Sequence, residues 1–257
     1  MFCNWATVWY AMRIESMKSA FGSLTGSQAA ADAFFNTIIV FAFVPMLYFN
    51  IGSLIKYSFL MGHLCNTFYD ISLYSHFFMS LNRLCAVFLP FRYDSICSQK
   101  NTLYKIALCW IFSIVSTTYA FEIVDCRVIF DQEFMGLKWT ATSACAIIGW
   151  YFSFLKQACL ILATVSIDVI TVLKVHLVNQ DTACLQAFVF ATQLLVFFLL
   201  SPKYTGKWPK FLMGMLLWTA VHTSDGLIAI FTNKELKRAI GRRNENSMVI
   251  TLVGTVA

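Results

Sequence analysis

Residues 28–50, QAAADAFFNTIIVFAFVPMLYFN, carry one charged side chain, Asp32, in an otherwise largely apolar and aromatic run. A helix over that stretch is about 34 Å long at 1.5 Å per residue, enough to cross a hydrocarbon layer of roughly 30 Å. Five further stretches meet the same test or come near it: 62–89, 103–122, 149–175, 183–201 and 210–232. Backbone polar groups find no water inside lipid, so each such stretch must satisfy them internally as a helix. The reading is an all-α transmembrane helical bundle with six spans.

Composition points the same way. The 257 residues are 59% apolar and 12% charged, with a mean hydropathy of +0.68; soluble domains carry roughly 25% charged residues. Twenty-five Phe and seven Trp suit a lipid-facing or interfacial exterior and would aggregate on an aqueous one. The net charge of +6 sits at the ends of apolar segments and forms no stripe or Arg-rich tract, which argues against nucleic acid as a partner. No signal peptide is read in residues 1–27, because the apolar run from Trp5 to Met12 is short and is soon followed by Arg13 and Glu15.

Lys and Arg accumulate on the cytoplasmic side of short loops. With both termini inside, that side holds Arg13, Lys18, Arg83, Arg92, Lys100, Lys105, Lys174, Lys234, Lys237, Arg238, Arg242 and Arg243. The opposite side holds Lys56, Arg127, Lys138, Lys203, Lys207 and Lys210, with Lys156 left inside a span. The balance sets both termini in the cytoplasm. The resulting division is a cytoplasmic N-terminal segment over 1–20, a transmembrane domain over 21–240 and a cytoplasmic tail over 241–257. Within it, Asn233–Ile240 reads as a short helix along the membrane surface, with Leu236 and Ile240 on one face.

The nine Cys contain no CxxC pair and the four His are scattered, so neither a zinc site, a dithiol centre nor any cofactor is indicated. Cys126 and Cys145 bracket the one long outside connection, where an oxidising environment permits a disulfide. The alternatives are two free thiols, or a partner in Cys65 at the outer end of the second span.

From Phe21 onward the segments resemble, in order, the nematode serpentine receptor class X chemoreceptors, a branch of the seven-helix G-protein-coupled receptors. The resemblance is carried by Phe21-Gly22, Ser27-Gln28 and Asp32; by Tyr69-Asp70-Ile71-Ser72-Leu73-Tyr74-Ser75-His76; and by Asn82-Arg83-Leu84-Cys85-Ala86-Val87-Phe88 with Pro90 and Tyr93. Cys126, Cys145, Trp150-Tyr151 and Asp168 follow, then His222, Asp225-Gly226, Phe231, Asn233, Lys234 and Glu235. It implies a rhodopsin-like bundle in the plasma membrane of a sensory cilium, binding an extracellular small molecule or pheromone and activating a heterotrimeric G protein. Two departures are expected. The family's first helix is missing, since residues 1–20 do not supply a span, which opens one wall of the bundle and leaves Asp32 facing lipid or a partner. The connection after Lys174 is also shorter than the family's third cytoplasmic loop.

A charge at mid-membrane costs about 3 kcal/mol on insertion scales, so intramembrane ionisable residues are candidate sites. By resemblance, Arg83 holds the inactive state and meets the G protein, with Asn82 in the place of the usual acid; otherwise it is a positive-inside anchor. Asp168, Asp225 and Asn233 join it as coupling or activation candidates, the two acids either rearranging on activation or simply holding helices together. Asp70 lies about 20 Å further out along the helix and, with Tyr74 and Lys156, makes the ligand-cavity set. Asp70 meets a ligand or pairs with Ser72, His76 or another helix. Lys156 snorkels to the outer interface or turns inward to complement Asp70 or an anionic ligand.

An enzyme is not expected: there is no phosphate loop, His-Glu-x-x-His helix or Gly-x-Ser-x-Gly elbow. A shortened receptor-like protein that does not signal is the main alternative function, and a transporter a lesser one.

Overall fold

The computed structural model describes residues 1–133, 135–175 and 206–232, with single positions between 189 and 204. The expected fifth span at 183–201 lies mostly outside the described residues, and the surface helix at Asn233–Ile240 and the tail at 241–257 lie wholly outside them. Five of the six expected spans therefore have an observed counterpart.

Helix α1 covers Phe2–Ala11, α2 Ala20–Phe49, α3 Ser58–Phe88, α4 Gln99–Ile123, α5 Ser143–Lys174 and α6 Lys207–Phe231. Several begin before the apolar run because a side chain caps the first turn. The Ser19 hydroxyl accepts from the Gly22 amide, Ser98 from Asn101 and Thr142 from Cys145, satisfying donors that an uncapped helix leaves open. At its far end α2 stops where Asn50 takes a left-handed conformation, φ 50°.

Among the described residues, α2, α4, α5 and α6 are long and apolar enough to cross a membrane. At 31 residues, α3 is also long enough, and its polar positions are the buried ones. Thr67, Asp70, Ser72, Ser75, His76, Ser80 and Asn82 all face protein. This is the helix at the bundle's centre, packed on α2, α4 and α5. The lipid-facing sides belong to its neighbours, where Ile111, Phe112 and Val115 on α4 and Leu162, Ile170 and Leu173 on α5 are exposed.

Residues 1–20 contribute α1, which packs between α2 and α6. The Asn4 amide donates to the His222 carbonyl at 2.7 Å, Trp5 stacks edge-on against Phe34 and donates to Thr37, and Ala11 reaches Gly26. The helix thus runs beside the first half of α2, ending where Arg13 and Lys18 begin. Ten residues rise about 15 Å, half a span, which is why no apolar-length test finds it. Its presence also corrects the expectation for Asp32: that side chain is fully buried, with no exposure to lipid. Close contact depends on Gly226, where a Cβ would fall 1.7 Å from the Asn4 side-chain oxygen.

Among the described residues, one element is not helical. In the long connection, strands β1 (Val128–Asp131) and β2 (Gly136–Trp139) form an antiparallel hairpin with Val128 opposite Trp139 and Asp131 opposite Gly136. A disulfide joins Cys126, just before the hairpin, to Cys145 in the first turn of α5, while Cys65 is a free, buried thiol. The hairpin lies across the outer end of α3: the Phe130 amide donates to Ser58 at 3.1 Å, and the Val128 carbonyl sits where a Cβ on Gly62 would be. Val128, Phe130 and Leu137 turn inward onto Phe35, Phe43 and Phe121.

Candidate functional site

Among the described residues three polar layers cross the bundle, outer, middle and inner in the orientation expected from the placement of Lys and Arg, and each is assembled from helices far apart in sequence. The outer layer lies under the hairpin. A cavity of about 170 Å³ is bounded by Gly62, Asn66 and Tyr69 of α3, Val128, Leu137, Lys138 and Trp139 of the hairpin, Ser153 and Gln157 of α5, Gln193, and Trp218 of α6. A smaller space adjoins it, sharing Asn66, Trp139 and Ser153 and reaching Asp70 and Lys156. There the Lys156 ammonium donates to the Asp70 carboxylate at 2.5 Å, with Asp70 buried and Lys156 about a quarter exposed. Lys156 therefore turns inward. Tyr74 lines neither space; its ring lies 5.9 Å from the Lys156 nitrogen and edge-on to Phe112, between α3 and α4. Helical segments with wider turns occur in the outer parts of α2 (Ile39–Phe43), α4 (Tyr119–Ile123), α5 (Gly149–Leu155) and α6 (Leu212–Leu216). Such bulges are frequent at functional sites.

In the middle layer, the His222 imidazole Nδ1 lies 2.6 Å from Asp32 Oδ1, both groups fully buried. Nearby, Gln28 and His76 meet at 2.6 Å and His76 approaches Asp225 at 3.4 Å. The Thr223 hydroxyl donates to Asn36 at 3.2 Å. Histidines scattered in sequence thus converge with two carboxylates from different helices. Asp32, His222 and Asp225 offer ligand atoms within 4.8 Å of one another, a set able to hold a small cation. Asp225 belongs to this layer rather than to the inner end.

The inner layer holds Arg83 and Asp168. The guanidinium grips the carboxylate through Nη2 at 2.8 and 3.1 Å and Nε at 3.3 Å, and donates to the Ser80 hydroxyl at 2.8 Å. Asp168 is buried and Arg83 only slightly exposed. A planar fork on a carboxylate is the strong form of this contact. Asn82, beside Arg83, instead exchanges hydrogen bonds with the Tyr93 hydroxyl at 3.2 and 3.4 Å. The acid that partners Arg83 thus comes from α5, eighty-five residues away, and not from its own helix. Asn233 lies outside the described residues.

Both ion pairs join the same two helices with reversed polarity. Helix α3 carries the acid outside and the base inside, and α5 the base outside and the acid inside. Sequence reasoning found all four residues and held Asp70 as one alternative partner for Lys156, but it did not pair Arg83 with Asp168. It missed Trp139, Gln157, Gln193 and Trp218, which are uncharged and carry no signal until the helices and the hairpin are packed.

Comparison with known proteins agrees with this architecture. The family described as serpentine type 7TM GPCR chemoreceptor Srx matches residues 1–183 and 181–233, so the match includes α1. Serpentine receptor class X 45 of Caenorhabditis elegans is 24% identical over 281 residues, covering 93% of this chain and 76% of that protein. Serpentine receptor class X-43 of the same organism is 24% identical over 258 residues, covering 90% of this chain and 79% of that one. With nearly the whole bundle matched, the chain belongs to the serpentine type 7TM GPCR chemoreceptor Srx family, multi-pass membrane receptors of the G-protein-coupled type.

Proposed function

We propose that the chain is a chemosensory receptor of the plasma membrane, in a sensory cilium, that binds an extracellular small molecule or pheromone under the hairpin and signals to a heterotrimeric G protein. The observation that carries this reading is the double tie between α3 and α5. One tie borders the outer cavity; the other, Arg83–Asp168, sits at the inner end where a G protein would dock. A ligand touching Asn66, Ser153 or Trp139 presses on the helices that both ties hold in register. Releasing Arg83 requires α5 to shift against α3, and a ligand favours that state by binding it better than the closed one. Asp225, with Asp32 and His222, links α6 to the same movement.

The test is nucleotide exchange on heterotrimeric G proteins by the full chain in lipid nanodiscs. Asp168→Asn, which keeps the shape and removes the charge that holds Arg83, should raise ligand-independent exchange several-fold. Arg83→Ala should abolish it. If wild type and both variants leave exchange at the level of empty nanodiscs with every G protein subtype, the chain is a receptor-like protein that does not signal.

A further inference from the structure

The outer cavity has a definite chemical character, and two features of it set what it takes. The first is charge. Around the cavity and its annex, the charged side chains among the described residues are Lys138, Asp70 and Lys156. Lys156 is matched by Asp70 at 2.5 Å, and Lys138 by Asp131 across the hairpin. Neither a cation nor an anion entering this space meets an unmatched partner, and each would shed its hydration for no return. The second is a donor and an acceptor left open on the cavity wall. The Trp218 indole N–H and the Gln193 side-chain oxygen are buried and find no hydrogen-bond partner among the described residues, although the Gln193 side chain also bonds Tyr69; in the annex Asp70 Oδ1 is left open as well. The indole is the donor and the glutamine oxygen the acceptor, and a buried polar atom left alone is costly.

Size and shape narrow the choice. A cavity of roughly 150 Å³ accommodates one benzene ring, so about 170 Å³ fits one ring with a short substituent. Tyr69, Trp139 and Trp218 provide aromatic faces for it.

Resting on the receptor reading above for the site's role, we propose that this cavity selects an uncharged single-ring molecule with an amide-like edge, with Trp218 Nε1 and Gln193 Oε1 bonding that edge and the Asp70–Lys156 pair excluding ions. The amide supplies a carbonyl for the indole N–H and an N–H for the glutamine oxygen. The ion pair acts as a charge filter because it is closed: opening it from either side creates a vacancy of known sign.

The probes are benzamide, benzoate and benzylamine, which share a ring and differ in the charge of the substituent. Binding to the full chain in nanodiscs is read by tryptophan fluorescence, with no G protein present. Benzamide should bind at least tenfold more tightly than either ion. Trp218→Phe, which keeps a ring and removes the donor, should cost benzamide about tenfold. Lys156→Met should raise benzylamine affinity tenfold or more, and Asp70→Asn should do the same for benzoate. Should either single variant fail to fold, the double variant Asp70→Asn/Lys156→Met carries the comparison, keeping the wild-type order of the three probes. The proposal is overturned if either ion binds wild type as tightly as benzamide, if none of the three binds, or if Trp218→Phe leaves benzamide unaffected. Those outcomes are separable from failure of the receptor reading. A chain that binds benzamide but never stimulates exchange sinks signalling alone, and a chain that signals only to charged compounds sinks the filter alone.

Discussion

The Asp70–Lys156 and Arg83–Asp168 pairs tie the same two helices about 20 Å apart, yet they are built differently. The outer pair is a single contact from a flexible ammonium, with Lys156 about a quarter exposed and Asp70 bordering a cavity. The inner pair is a fork with three contacts, backed by Ser80, with Asp168 buried and Arg83 16% exposed. Lys is a compact point charge that re-aims at little cost, whereas the Arg fork matches a carboxylate in one geometry. The outer tie can therefore yield gradually as something enters beside it. The inner tie is either made or broken, which suits the two-state output proposed for that end of the bundle.

The sharpest way to break this contrast is Arg83→Ala. It strands the Asp168 carboxylate in a dry interior, and removing one member of a buried pair costs about 3–5 kcal/mol. Thermal unfolding in detergent should show the largest loss of any single change described. Lys156→Met strands Asp70 beside a cavity that admits water, so its cost should be smaller, about 1–3 kcal/mol. Equal losses at the two sites would mean that the outer space is as dry as the inner one and that the ties do not differ in kind.

Reduction sharpens the comparison from outside. Cys126 and Cys145 close a loop with a sequence separation of 19, a constraint worth about 3 kcal/mol in the chain-entropy model. It holds the hairpin over the outer pair only. Cys126→Ser should loosen that region, with faster amide exchange at Phe130 and Leu137 and weaker probe binding. The inner end should keep its exchange protection at Ser80 and Arg83. Protection lost equally at both ends would show the bundle opening as one unit. Midway between the ties, Gly226→Ala puts a methyl against Asn4 and should cost about 1–3 kcal/mol by overpacking. Its relief by Asn4→Gly would identify α1 as the element displaced.

How much of this was legible in the sequence varied with the kind of signal. The spans were readable because lipid enforces one pattern, a long apolar run, and α2, α4, α5 and α6 display it. In α3 that pattern is weaker, since its polar residues face other helices, yet the stretch 62–89 still came near the length test. Two elements escaped. With ten residues, α1 is too short for any apolar-length test, and its burial rests on one glycine in a helix more than two hundred residues away. The hairpin at 128–139 was read only as a long connection, its Val128-Ile129-Phe130 apolar run being too brief to stand out. Charged residues were found because charge in a membrane needs a reason. Asp70 with Lys156 stood as one alternative among several, while Arg83 with Asp168 and Asp32 with His222 were not found, because they are matched by packing and not by spacing.

The smallest expected effect addresses where the acid for Arg83 must come from. By the resemblance to seven-helix receptors, Asn82 stands where an acid is expected on the same helix, while Asp168 reaches Arg83 from α5. Asn82→Asp therefore offers Arg83 a second carboxylate that travels with it. In the wild-type background this should change stability by about 1 kcal/mol at most, since Tyr93 can still donate to the new oxygen and the guanidinium already holds its partner. In the Asp168→Asn background it becomes decisive. An acid on α3 neutralises Arg83 but does not tie α3 to α5, so if the interhelical tether is what restrains the inner end, the raised exchange of Asp168→Asn should persist in the double variant. If exchange falls back to the wild-type level, charge neutralisation of Arg83 is sufficient. The two ties would then be independent local features rather than one register lock between helices.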